Sequence, residues 1–113
     1  MAEIQYSVST TSGGDLLVSW ENVTEADTFQ QYLLREVVSE LSMHITGTFG
    51  GATVSIDGGN IASEMLELSQ IGGSAATATA ADIFSLLDRP LYIKPSHSGG
   101  SSASVDVHML VRN

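Results

Sequence analysis

The chain has 113 residues, four Lys+Arg against thirteen Asp+Glu, and a formal net charge of -9. That length suits one domain, and so few cations release too few counterions for a protein that tracks nucleic-acid phosphates. Hydrophobic residues make up 42% and charged residues 15%, which excludes simple disorder, and the lack of cysteine removes disulfide frameworks, thiolate nucleophiles and cysteine-based metal sites.

The opening residues, Met1 to Val8, contain no basic segment and no apolar run of the kind that directs secretion, so synthesis and use in a cytoplasm are expected. No apolar stretch approaches the roughly 20 residues needed to span a bilayer, and no membrane association is expected. Ile4, Tyr6 and Val8 alternate with Glu3, Gln5, Ser7 and Ser9, a half-buried strand pattern. Ser12-Gly13-Gly14-Asp15 is turn chemistry, and Leu16 to Trp20 reads as the return strand.

Residues 24–41 read two ways. Thr24-Glu25-Ala26-Asp27 resembles a helix capping box, and Phe29, Leu33, Val37 and Leu41 recur every fourth residue. The expectation is a short helix or an irregular loop over 25–36, then a strand over about 38–49 with Leu41, Met43 and Ile45 on one face and Ser42, His44, Thr46 and Thr48 on the other. Gly50-Gly51 turns the chain, Ala52 to Ile56 returns as a strand, and Asp57-Gly58-Gly59-Asn60 reads as a turn. Glu64 to Ser69 alternates again. Residues 71–81, all small apart from Ile71, suit a loop and a thin edge strand. Residues 83–88 and 91–94 bracket Arg89-Pro90, and 95–104 read as a polar loop. Val105, Val107, Met109 and Val111 then alternate with Asp106, His108 and Leu110, the cleanest strand of all. Seven or eight short strands separated by turns point to an all-β fold, a β-sandwich or jelly-roll-like domain over 1–113, with residues 1–9 as first strand or N-terminal arm.

Tests for chemistry return little. His44, His97 and His108 are the only histidines, and they read as solvated strand positions rather than as metal ligands. Gly72-Gly73-Ser74-Ala75-Ala76 starts like a nucleophile elbow but ends in Ala and lacks the strand–helix setting. Asp57-Gly58-Gly59-Asn60 offers oxygens to calcium but lacks the EF-hand register, with Leu68 where the twelfth-position acid belongs. Trp20 is read as core rather than as a sugar-stacking platform. No catalytic residue, cofactor site or metal site is assigned, and the chain is not expected to be an enzyme.

Three stretches together resemble a family of small virion structural proteins of tailed bacteriophages. They are Trp20 with Glu25 to Phe29; Ile45-Thr46-Gly47-Thr48-Phe49-Gly50-Gly51 continuing to Asn60; and Arg89-Pro90-Leu91-Tyr92-Ile93-Lys94-Pro95 with Gly99-Gly100 and the closing strand. The resemblance covers residues 16–111, and the Gly-Thr-Phe-Gly turn is its most specific part. It implies a virion protein on the capsid exterior: a decoration (cement) protein, acting as a homotrimer, with the major capsid protein as partner and no nucleic-acid or membrane contact. Ile4, Tyr6, Val8, Phe29, Tyr32, Leu33 and Leu34 are the candidate subunit or capsid contacts. The alternatives are a tail, baseplate or head-fibre component and, from another class, a carbohydrate-binding β-sandwich module.

Overall fold

A computed structural model describes residues 2–35 and 38–112. Its strands are, in chain order, β1 (Glu3–Ile4), β2 (Ser7–Thr10), β3 (Leu16–Val23), β4 (Thr28–Phe29), β5 (Tyr32–Leu33), β6 (Glu40–Thr48), β7 (Thr53–Gly59), β8 (Leu66–Glu67), β9 (Thr77–Ala78), β10 (Asp82–Ser85), β11 (Tyr92–Ser98) and β12 (Ser104–Arg112). The protein is all-β and sandwich-like. One five-stranded sheet has the order β10-β6-β12-β3-β2, and the second has β5-β11-β7 with β8 and β9 sharing the far edge of β7. Both sheets are antiparallel, and a small parallel pair, β1 with β4, lies outside them.

Alternation builds the core. Val105, Val107, Met109 and Val111 of β12 and Leu41, Met43 and Ile45 of β6 are buried on one side of the first sheet. They share a single cluster with Val54, Ile56 and Ile93 of the second sheet. Trp20 and Val23 of β3 both point into this core although they stand three residues apart, a spacing that plain alternation forbids. A β-bulge reconciles them: Glu21 and Asn22 lie opposite the single residue Asp106, between the Trp20–Val107 and Val23–Val105 pairs. Asn22 takes φ 56°, a left-handed value that Asn tolerates better than most residues, and its N–H donates to Asp106 Oδ1 at 2.8 Å.

The Gly-Thr-Phe-Gly motif acts through close approach. Gly47 and Gly50 have positive φ, and a side chain at either would collide with the backbone of Ser104–Val105 or of Ser101. Ser101 N–H donates to Gly50 O at 3.0 Å, so the loop after β6 is fastened to the loop before β12.

Three sequence expectations are corrected. Among the described residues of 25–36 there is no helix: β4 and β5 occupy the segment, while Glu36, like Val37 of the apolar stripe, lies outside the described residues. The capping-box resemblance is instead a turn, in which Asp27 N–H donates to Thr24 O at 3.0 Å while Asp27 Oδ2 accepts from Thr24 N–H and Oγ1–H. Gly58 and Gly59 lie inside β7 rather than in a turn, and neither has a positive φ. Gly58 is there because Pro90 Cγ and Tyr92 O would sit 2.7 and 2.8 Å from a Cβ atom. Residues 95–98 belong to β11, with Pro95 paired to Ile56. Pro95 is tolerated because β5 covers only Tyr92 and Ile93, which leaves the other edge of β11 without a ladder at the proline.

Gly58→Ala is therefore expected to destabilise the protein by about 1–3 kcal/mol through overpacking against fixed backbone. Gly13→Ala, where the nearest heavy atom is 3.9 Å from a Cβ position, should stay within about 0.5 kcal/mol. Urea denaturation of the two variants checks the contrast, and equal effects would refute the close-approach explanation.

Candidate functional site

The register of the first sheet assigns its outward side chains row by row. One row crosses the sheet as Ile83, His44, His108, Ser19 and Ser7. The next runs Ser85, Ser42, Leu110, Leu17 and Ser9. Neither row carries an acidic or a lysine/arginine side chain, although the chain's net charge is -9. A depression of ≈ 420 Å³ opens on these rows, lined by Leu17, Ser42, His44, Ile83, His108 and Leu110.

The margins of the face are polar or apolar according to the strand they lie on. At one end Glu40 meets Arg112 at 3.4 Å and accepts from Ser85 Oγ at 2.9 Å. At the other end Asp106 is held by the bulge at Asn22. Beyond β10, residues 69–71 run antiparallel to 85–87 through Ile71 N–H to Ser85 O and Leu87 N–H to Ser69 O, both at 2.8 Å. That pairing brings exposed Ile71 and Leu87 to the same margin as Ile83, which is 63% exposed. Three large aliphatic side chains thus stand in solvent along the β10 edge of this face. Neighbouring exposed apolar side chains of this kind make the edge a candidate contact surface.

The sequence-assigned contact residues lie elsewhere. Phe29, Tyr32 and Leu34 are buried in the chain's own core, and Leu33, Ile4 and Tyr6 are half-buried. Tyr6 packs edge-on to Trp20 and Tyr32, with ring centroids 6.0 and 5.1 Å away. Val8, 48% exposed, offers the most surface of the seven. Residues 3–10 pair with β4 and β3 of the same chain, as first strands rather than as a free arm. Leu17, Ile71, Ile83 and Leu110 escaped the sequence reading. Leu110 carried a signal, as an aliphatic residue at an outward position of the cleanest strand, but its neighbours could be known only from the register between strands.

The three histidines do not converge. His44 and His108 are cross-strand partners on the sheet face, whereas His97 is on β11 and its Nε2 lies 2.8 Å from Asp27 O. Among the described residues no group of three or more His, Asp or Glu is placed to hold a metal ion. The proposed calcium oxygens are dispersed along β7 and its exit, where Asn60 Oδ1 accepts from Leu91 N–H at 3.0 Å. Gly72-Gly73-Ser74 lies in a turn with no helix after it. Trp20 is fully buried and its indole N–H donates to Gln30 O at 2.9 Å, so it presents no face to a sugar.

Two carboxylates have structural duties around residues 24–27. The Glu25 carboxylate is held below its ordinary pKa by its own backbone N–H and by that of Ala103, and Ala103 N–H donates to it at 3.2 Å. Asp27 is held below its ordinary value by the backbone N–H and then the hydroxyl of Thr24. These bonds tie the turn to the loop before β12, which is the role of this cluster. Scans against models of known protein families and among characterised proteins return no match for the chain.

A depressed folded-state pKa means that the charged form is favoured by folding. The stability it contributes is present at neutral pH and is lost as pH falls below the ordinary values of 4.5 for Glu25 and 3.8 for Asp27 and on through the folded-state values. Asp27→Asn should lower the urea midpoint at pH 7 and flatten its decline on acidification. An acid profile unchanged by the substitution would contradict the assigned role.

Proposed function

We propose that the chain is a structural protein of a tailed-phage particle, a non-enzymatic decoration protein that binds the outside of the shell as a homotrimer and stabilises it. The observation that supports this reading best is the pair of central rows on the outer face of the first sheet that carry no charged side chain, with Ile71, Ile83 and Leu87 exposed along its edge. The chain's net charge of -9 disfavours contact with packaged nucleic acid and suits an exterior position. The sequence resemblance through Gly47 to Gly51 and Arg89 to Pro95 points the same way, and the rigid β-sandwich suits a protein whose task is to hold a surface in place.

The mechanism is mass action. A subunit that binds only the assembled shell stabilises that state in proportion to occupancy. A trimer engaging several shell subunits at once makes the second and third contacts intramolecular. Burial of apolar surface, at roughly 25 cal/mol per Å², supplies the affinity, and the absence of charge from the two central rows limits the desolvation penalty. A tail, baseplate or head-fibre location would use the same face at lower copy number.

Light scattering after size exclusion tests the association. The expected mass is that of a trimer of 11.9 kDa chains, and Ile83→Glu combined with Leu110→Glu should keep that mass and the β-type circular dichroism while abolishing co-sedimentation with emptied capsids. A wild-type monomer at every concentration would overturn the trimer, and capsid binding that survives the double substitution would overturn the assignment of this face to the shell contact.

A further inference from the structure

The geometry points to His44 and His108 as a two-imidazole site for a divalent transition-metal ion of the zinc or copper class. The two residues are direct partners across β6 and β12, with ring centroids 6.0 Å apart and planes inclined at 49°. Two imidazoles that share a tetrahedral metal through Nε2 bonds of 2.0–2.1 Å have ring centres about 5 Å apart. The rings thus stand about 1 Å farther apart than a shared tetrahedral ion requires. Imidazole is the ligand type that suits these ions, and both rings open on the depression beside Leu17 and Ile83.

A second shell is already in place. Ser19 Oγ lies 2.8 Å from His108 Nδ1, and Ser19 is the one buried polar side chain among the described residues. With Nδ1 engaged, Nε2 of His108 is left to face the metal, which is how ligating histidines are commonly oriented. The hydroxyl can accept from or donate to Nδ1, so it can follow the tautomer that the metal selects. Asp106, two residues along β12 on the same face, and the overall charge of -9 raise the local concentration of cations. With two protein ligands the site keeps open positions for water, or for a donor from a second copy seated on the face. The inference stands apart from the virion reading, since a lone chain can bind the ion.

Titration of the purified protein with zinc or copper(II) ions, followed by calorimetry and by ¹⁵N-resolved imidazole resonances, tests the site. Saturable binding of one ion per chain is expected, with the His44 and His108 resonances shifting and those of His97 unmoved. His44→Asn and His108→Asn should each weaken binding on the order of tenfold or more, whereas His97→Asn should leave it unchanged. His44 is exposed, so its variant is expected to fold, and the wild-type resonances give the answer without any variant. Equal perturbation of all three histidines, or no saturable binding, would overturn the assignment.

Discussion

The structure depends on the register of β12 between β3 and β6. One strand, nine residues long, pairs along its whole length with β6 and along most of it with β3. Its period of two sends Val105, Val107, Met109 and Val111 inward and Asp106, His108 and Leu110 outward. A slip by one residue would bury the second set and expose the first, so the hydrophobic effect fixes the register tightly. Everything on the outer face follows from that choice. The pairing of His44 with His108 and the alignment of Leu110 with Leu17 are consequences of where the valines must go.

Local devices protect this register. The bulge at Glu21–Asn22 re-phases β3 so that Trp20 and Val23 both reach the core, and the hydrogen bond from Asn22 N–H to Asp106 ties the extra residue to β12 itself. Gly47 and Gly50 allow the two loops at that end to touch backbone to backbone. The carboxylates of Glu25 and Asp27 accept N–H groups that those loops and the 24–27 turn would otherwise leave unpaired. The conspicuous motifs of the sequence are thus mostly answers to packing problems around one strand.

Long strands with strict alternation were legible in the sequence: β6, β7 and β12 fall where the pattern of Leu41 to Ile45, Val54 with Ile56, and Val105 to Val111 puts them. The described residues form twelve strands where seven or eight were expected, the excess being two-residue strands such as β4, β5, β8 and β9 that alternation cannot reveal. The failures have physical causes. Phe29 and Leu33 matched a helical period because two short strands, β4 and β5, lie close together in sequence. Gly58 and Gly59 resembled a turn because glycine serves close approach as well as positive φ, and only the position of Pro90 tells which. Residues 95–98 read as part of a polar loop because nothing local shows that β11 runs on past Pro95 opposite β7. Surface assignments were the least legible: Phe29, Tyr32 and Leu34 are buried, and the outward places of Ile83 and Leu17 follow only from the register between strands. Which side of a sheet faces water is a property of several strands together, and no single segment carries it.

In the functional account, an acidic sandwich keeps two central rows of one sheet face free of charge and places aliphatic side chains along its edge, which would suit repeated attachment to a shell. The most direct measurement is the copy number of the chain in purified phage particles, by quantitative mass spectrometry against the major shell protein. The account predicts a number comparable to that of the shell protein itself. A chain absent from the particle, or present in only a handful of copies, would contradict it.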